Sequence, residues 1–185
     1  MTDLVVFVEE RSAGIIVGSV ASRIAPARLV KIVEHEGKQD LRRSYPRKIS
    51  AWRHPVDVPF VILHDNDGND CSKLKARLTK AVPAGARRRT KIRIVMQCLE
   101  SWYLGDAQAC AAAGLVSHNR VQALQAAARF RDPDLLVNAK QEFLRLHREV
   151  GQISLARRIA PHLNLDTNTS HSFQVLVATL RALIG

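Results

Sequence analysis

Three aspartates lie close together in the stretch FVILHDNDGNDCSKLKARL, residues 60–78, at positions Asp65, Asp67 and Asp70. Carboxylates at this spacing repel one another unless a cation or a helix dipole compensates them. A calcium-binding EF-hand is excluded, because its loop needs glycine and glutamate where this sequence has Asp70 and Ala76. Two interpretations stay open: an oxygen-rich site for Mg²⁺ or Mn²⁺, and a helix cap at Asp70 within a polar loop.

Further acidic residues follow other apolar runs that are typical of buried strands. Glu9 and Glu10 follow the first run, and Glu100 follows the last. The carboxyl ends of parallel strands meet at one edge of a sheet, so Glu9 would lie beside Asp65 and Asp67 if those two strands are neighbours. An ion held there could polarise a phosphate for attack by water or a hydroxyl. We therefore favour a metal site for this trio and a helix cap for Asp70.

Positive charge is concentrated in the segment that follows the aspartates. The chain has 28 Lys and Arg against 17 Asp and Glu, a net charge of +11, and no acidic residue lies between Cys71 and Leu99. Such density favours a polyanionic partner such as nucleic acid, although a solvated loop explains the run ARRRTKIR equally well. The candidates for phosphate contacts are Lys73, Lys75, Arg87, Arg88 and Arg89. Tyr45 and Trp52 could stack on bases, but their helical spacing favours core packing.

Several other classes of protein are excluded by what the sequence lacks. No stretch approaches the roughly 18 apolar residues of a membrane span, and the first residues do not have the pattern of a signal peptide. The three cysteines have no CxxC spacing, and there is no P-loop, GxGxxG, GxSxG or HExxH motif. We expect a cytoplasmic protein with reduced thiols.

Hydrophobic periodicity predicts an α/β protein. The predicted strands cover residues 3–10, 28–37, 57–65 and 90–100. The predicted helices between them cover residues 12–24, 38–54 and 69–82, with Pro46 kinking or restarting the second. This alternation predicts a mostly parallel sheet of about four strands flanked by helices.

The second half has helical patterns only. These cover residues 106–115, 121–130, 135–150 and 172–184, with breaks at 131–134 and 163–170 and a cap from Thr169 or Ser170. We expect a single domain over residues 1–185, with an α/β core at 1–113 and a helical C-terminal extension at 114–185.

The acidic positions resemble those of the TOPRIM domain of topoisomerases, bacterial primases and overcoming-lysogenization-defect nucleases. Four motifs in order, LVVFVEERSAG, HEGKQDL, VILHDNDGNDCSKLKARL and IVMQCLESWYLGD, are more closely similar to the TOPRIM-like family designated domain of unknown function 4276. The C-terminal TSHSFQVLVATL is similar to that family's closing helix. The resemblance implies a TOPRIM-like, Rossmann-like fold over most of the chain.

The resemblance also implies roles for individual residues. Glu9 would be the TOPRIM glutamate, and Asp65 and Asp67 the metal-binding pair. Glu100, Trp102 and Asp106 would form the family's ExW…D signature, with Glu10, Asp70 and Asp106 as accessory acids. The sequence departs from the pattern at Glu10, where TOPRIM domains usually have glycine, and after Gly151, where a lysine is expected.

The implied function is Mg²⁺- or Mn²⁺-dependent phosphoryl transfer. The catalytic residues would be Glu9, Asp65 and Asp67, with Glu100 completing the metal ligands. The protein would be a nuclease acting on DNA or RNA beside an AAA-type ATPase, in defence against foreign nucleic acid. The alternative is a non-catalytic module that binds nucleic acid or the ATPase and has kept a TOPRIM-like shape.

Overall fold

A four-stranded parallel sheet lies at the centre of the molecule. The computed structural model describes residues 2–53, 55–147 and 151–185. The strands are β1 (Leu4–Phe7), β2 (Val30–Val33), β3 (Phe60–Asp65) and β4 (Thr90–Val95), in the order β2-β1-β3-β4 with every pair parallel. The predicted α/β, TOPRIM-like fold is confirmed. β1 and β3 are direct neighbours, which is the condition on which the grouping of Glu9 with the aspartates depended.

Three helices connect the strands. They are α1 (Arg11–Ile24), α2 (Lys38–Ser50) and α3 (Cys71–Ala81), within about two residues of the predicted bounds except at the end of the second. Pro46 lies inside α2, which continues to Ser50. His54, the last residue of the predicted second helix, lies outside the described residues.

Alternate side chains of the strands pack against helices on opposite faces of the sheet. Val5 and Phe7 of β1 belong to one buried cluster with α2 and α3, whereas Leu4 and Val6 belong to another with α1 and the C-terminal helices. This is the period of two expected of a strand buried on both faces. Tyr45 is fully buried on the α2 face, and Trp52 packs edge-on against Phe60, so the core interpretation of both aromatics is confirmed.

Helices make up the second half, as predicted. They are α4 (Leu99–Leu104), α5 (Ala107–Ala112), α6 (Val121–Ala126), α7 (Ala139–Leu146), α8 (Gln152–Ile159) and α9 (His171–Ile184). Helix α9 begins at the predicted cap, where Ser170 accepts a hydrogen bond from the Phe173 amide. The end of the predicted helix 135–150 falls on residues 148–150, which lie outside the described residues.

Two predictions about these elements were wrong or incomplete. The fourth strand does not reach Glu100; it ends at Val95, and α4 begins at Leu99. The cause is a sharp turn in which Gln97 has a positive φ of 63°, a conformation that ends a strand. Helix α8 was not predicted at all. In the described residues no helix is both long and apolar enough to cross a membrane.

A buried polar network joins α4 to α9 and so positions the start of α4. The carboxylate of Asp134 accepts hydrogen bonds from the Ser170 hydroxyl and the Ser172 amide. The Ser172 hydroxyl accepts from the Trp102 indole. A Cβ on Gly105 would lie 2.3 Å from the Asn168 side chain, so only glycine allows this approach. Residues that resemble the family signature are therefore used to hold the helices together.

The larger buried cluster draws on both halves of the chain, from β1 and α1 to α9. The single domain over residues 1–185 and the boundary after residue 113 stay predictions.

Candidate functional site

An acidic crevice lies at the carboxyl edge of the sheet. It has a volume of about 490 Å³. The lining residues are Glu9, Glu10, His35, Glu36, Gly37, Asp65, Asp67, Cys98, Leu99, Glu100, Lys140 and Gln152. All four residues predicted to bind metal, Glu9, Asp65, Asp67 and Glu100, are among them. The topology brings them together because β1, β3 and the turn before α4 end at the same edge.

Glu9 is the most firmly held of these acids. Its Oε1 accepts a hydrogen bond of 2.9 Å from the backbone amide of Asp65 and lies 2.7 Å from Nδ1 of His64. His64 is fully buried. In the described part of the chain, Glu9 Oε2 has no hydrogen-bond partner. One oxygen is thus anchored, and the other is available to a ligand.

Asp65 lies where several negative charges converge. Burial raises the pKa of Asp65 well above its ordinary value, and the nearby carboxylates of Glu9, Glu10, Asp67 and Glu100 raise it further. Such a shift means that the ionised group lacks a compensating positive charge. The crevice therefore contains more negative charge than the surrounding side chains neutralise.

Glu100 enters the crevice from the first turn of α4 and is buried. Burial and the carboxylate of Glu100 raise the pKa of the Cys98 thiol far above its usual range. A thiol with a raised pKa is a poor nucleophile at neutral pH, so the geometry gives no support to a nucleophilic role for Cys98.

Asp67 lies at the rim of the crevice. Its backbone has a positive φ of 49°, which aspartate tolerates better than most residues, and its side chain is exposed. Asp67 Oδ2 lies 2.7 Å from Nζ of Lys38, with both side chains more than a third exposed. An exposed ion pair of this kind is worth about 0–1 kcal/mol, so Lys38 would not prevent Asp67 from turning to a cation.

Asn66 shapes the loop between the two aspartates, and sequence reasoning missed it. The side chain is 2% exposed, and its Oδ1 accepts hydrogen bonds from the amides of Gln97 and Gly68. Asn66 thus joins the loop after β3 to the loop after β4, on which Glu100 depends. The only signal in the sequence was its place between two aspartates.

Asp70 and Asp106 do not line the crevice. Asp70 caps α3 by accepting the Lys73 amide at 2.9 Å, which confirms the cap interpretation. Asp106 caps α5 through Oδ1, and its Oδ2 accepts the Asn164 amide at 2.7 Å. The geometry gives no support to an accessory role for these two acids at the crevice.

The predicted phosphate-binding cations fall into two groups. Lys73 and Lys75 are exposed on α3, which begins near the carboxyl end of β3. The arginine run precedes β4, so it lies at the amino edge of the sheet, roughly 17 Å away for a strand of this length.

Two of these arginines are used in packing. Arg89 donates to the carbonyls of Val56 and Val58 and lies over the ring of Phe60. Arg87 donates to the carbonyls of Val82 and Lys80. Arg88 is exposed. Phosphate contacts from Arg87 and Arg89 would require these bonds to be given up, and neither residue can reach the crevice.

The C-terminal half contributes two crevice residues that the sequence did not reveal. Lys140 comes from α7, and Gln152 from the first turn of α8. Gln152 directly follows Gly151, where the family resemblance leads one to expect lysine. Lys140 therefore restores a basic group from this half. No spacing in the sequence indicates it, because only helix packing decides which residue of α7 faces the crevice.

The donor set suits a hard divalent cation, although the carboxylates are not drawn together around one point. In the described residues, no group of three or more His, Cys, Asp or Glu side chains is placed to hold a metal ion. The crevice acids offer only oxygen ligands, which Mg²⁺ and Mn²⁺ prefer. The raised pKa of Asp65 shows that a cation would relieve repulsion there. The residues therefore fit such an ion.

These features define an α/β protein with a TOPRIM-like fold and an acidic crevice at the carboxyl edge of its sheet. Within that class, the chain belongs to the family described as domain of unknown function (DUF4276), whose model matches residues 16–181. The matched segment begins after Glu9 and Glu10, so the match does not cover them. A search of curated proteins found none that matches.

Solved structures with the same fold cover the whole chain. The C-terminal region of the Burkholderia pseudomallei OLD protein matches 100% of this chain and 100% of its own, with a TM-score of 0.59 and 16% identity. The C-terminal region of the Xanthomonas campestris pv. campestris OLD protein matches 100% of this chain and 96% of its own, with a TM-score of 0.57 and 16% identity. At this identity the likeness establishes the fold.

Proposed function

We propose that the protein is a divalent-metal-dependent phosphoryl-transfer enzyme, a nuclease that cleaves DNA or RNA. The observation that carries the proposal is the contact between Glu9 and the Asp65 backbone at the ends of adjacent parallel strands. It places two acids of the TOPRIM resemblance at one crevice, together with Glu100. The fold shared with the C-terminal regions of OLD proteins supports the same assignment.

Asp65, Asp67 and Glu100 would hold the ion, which is Mg²⁺ or Mn²⁺. When bound, the ion would neutralise charge on a phosphate and lower the pKa of water. Glu9, with Oε1 anchored and Oε2 without a partner in the described chain, would accept a proton or supply a further ligand. Lys140 would face the phosphate from α7.

Lys73 and Lys75 would contact the nucleic-acid backbone beside the crevice. Their exposed ammonium groups lie on the helix that follows the metal-binding loop. A cytoplasmic location, an AAA-type ATPase partner and a role in defence against foreign nucleic acid complete the proposal, and these rest on the family resemblance. Co-purification with an AAA-type ATPase from the same organism tests the partnership.

The test of this proposal combines metal binding with cleavage. Mn²⁺ should raise the melting temperature of the wild-type protein. At a free Mn²⁺ concentration of a hundred times the dissociation constant, it should add about 2.7 kcal/mol to the free energy of unfolding. Asp65→Asn should remove that stabilisation and the Mg²⁺-dependent cleavage of plasmid DNA and of single-stranded RNA. Asp70→Asn is the matched control, because Asp70 lies in the same loop but caps α3. Its Mn²⁺ response and cleavage should match wild type.

A second function is favoured by one observation: in the described residues, no three acidic side chains are placed to hold a metal ion. If the crevice binds no divalent ion, the protein is a non-catalytic module that binds nucleic acid or an ATPase. This alternative is supported if wild type and Asp65→Asn both bind nucleic acid, are not stabilised by Mn²⁺ and do not cleave nucleic acid.

A further inference from the structure

The histidine that holds Glu9 is itself held from its other side. Arg42, on α2, places its Nε 2.7 Å from Nε2 of His64. Nδ1 of the same ring lies 2.7 Å from Glu9 Oε1 and 2.6 Å from the carbonyl oxygen of Asp65. Side chains from α2, β3 and the end of β1 therefore form one hydrogen-bonded chain, and its central ring is fully buried.

The guanidinium group of Arg42 determines which atoms donate and which accept in this series of hydrogen bonds. An arginine N–H can only donate, so Nε2 of His64 must accept and carries no proton. The ring proton then lies on Nδ1, where both neighbours, the Glu9 carboxylate and the Asp65 carbonyl, are acceptors. Each atom of the chain thereby has a complementary partner.

We propose that Arg42 is a positioning residue that holds His64 in the Nδ1-protonated tautomer, so that the ring donates to Glu9 and fixes its carboxylate at the crevice. If the proton moved to Nε2, the Nδ1 lone pair would face two acceptors, and a buried nitrogen would lose its hydrogen bond. Partners of this kind orient the groups that bind a metal, and removing one typically lowers affinity or activity by about 10–100-fold. The consequence for cleavage rests on the proposed function, but the tautomer does not.

The tautomer is tested directly on the wild-type protein. Imidazole ¹⁵N spectra at neutral pH distinguish a protonated from an unprotonated ring nitrogen, and the signals of His64 are those that disappear in His64→Asn. The expected result is a proton on Nδ1 and none on Nε2. A wild-type ring protonated on Nε2 overturns the proposal, and this measurement needs no destabilised variant.

The role of Arg42 is tested with two matched variants of neighbouring residues. Arg42→Met keeps the aliphatic stem and removes the donor, so the His64 proton should move wholly or partly to Nε2. Arg43→Met removes the same charge from the exposed face of α2, where the ion pair of Arg43 with Asp40 is a long contact of 3.8 Å. This variant should leave the His64 ring proton on Nδ1. A wild-type spectrum in folded Arg42→Met overturns the proposal. If Arg42→Met does not fold, Arg42→Leu, which also lacks a donor, takes its place, and an unchanged ring there overturns the proposal equally.

Cleavage kinetics separate positioning from direct substrate binding. Arg42→Met should lower kcat by about 10–100-fold and leave KM within about twofold. In a His64→Asn background, the asparagine amide donates to Glu9 without help from Arg42, so adding Arg42→Met should cause no further loss. An equal loss in both backgrounds would mean that Arg42 acts on the substrate and would overturn the proposal. If wild type does not cleave, the proposed function fails, and the ¹⁵N spectra still decide the tautomer.

Discussion

The two edges of the sheet carry opposite charges that are used in opposite ways. At the carboxyl edge, Asp65 lies among carboxylates that leave its pKa raised. At the amino edge, Arg87 and Arg89 donate to backbone carbonyls of adjacent loops. In the sequence, both are dense runs of like charge. The difference is that these arginines have structural partners, whereas Asp65 lies among carboxylates without a compensating cation. Uncompensated charge therefore identifies the site better than charge density does.

Among the variants that test this comparison of the two edges, replacement of Asp67 should have the largest effect on cleavage. Asp67→Asn should reduce Mg²⁺-dependent cleavage by about a hundredfold or more, because it removes a proposed ligand rather than a supporting partner. Its melting temperature should stay close to wild type, since the exposed pair with Lys38 contributes about 0–1 kcal/mol. Lys38→Gln is the control and should retain cleavage. Undiminished cleavage by Asp67→Asn would remove Asp67 from the ligand set.

Asp65 should destabilise the metal-free protein at neutral pH. Its folded-state pKa lies above the ordinary value of 3.8, so the folded state binds more protons than the unfolded state between those two values. Stability from this group is therefore lost as the pH rises from 3.8 through the raised pKa. Asp65→Asn should melt at a higher temperature than wild type at neutral pH, and the difference should vanish below pH 3.8.

Mn²⁺ should reverse that order, because the ion stabilises only the wild-type protein. Thermal melting with and without Mn²⁺ checks both parts of the prediction. A wild-type protein that is the more stable of the two at neutral pH without metal would show that the crevice acids are already compensated.

Asp106, an acid outside the crevice, should contribute to stability and not to cleavage. Asp106→Ala leaves the amides of Ala109 and Asn164 without their acceptor. The free energy of unfolding should fall by about 1–3 kcal/mol, measured by urea titration. Cleavage per folded molecule and the Mn²⁺ response should not change. A selective loss of cleavage would return Asp106 to the site.

The smallest effects are expected among the cations. Lys73→Gln should reduce the slope of log K against log salt for nucleic-acid binding by about 1, as one phosphate contact is lost. Arg89→Gln should leave that slope unchanged and lower stability by about 1 kcal/mol, because its bonds to Val56 and Val58 are lost. The reverse pattern would place the nucleic acid at the amino edge of the sheet.

Much of the fold was accessible from the sequence because its signals are local. The β-branched run of β1 and the helical stripe of Leu41, Tyr45 and Ile49 predicted elements that the structure contains. The fourth strand was extended too far, because a single residue, Gln97, turns the chain into α4 and no hydrophobic pattern records that turn. The alanine-rich helices α5 and α6 were located but not bounded, since such segments carry little periodicity, and α8 was not predicted.

The candidate site could also be predicted only in part. The sequence by itself determined that Glu9 and Asp65 follow strands, and the structure supplied the β1–β3 adjacency that brings them to one crevice. Only the tertiary structure decided that Asp106 is a cap, that Lys140 reaches the crevice from α7, and that Arg42 and His64 hold Glu9. The physical reason is that strand ends follow from a local pattern, whereas hydrogen bonds between distant side chains depend on how the helices pack.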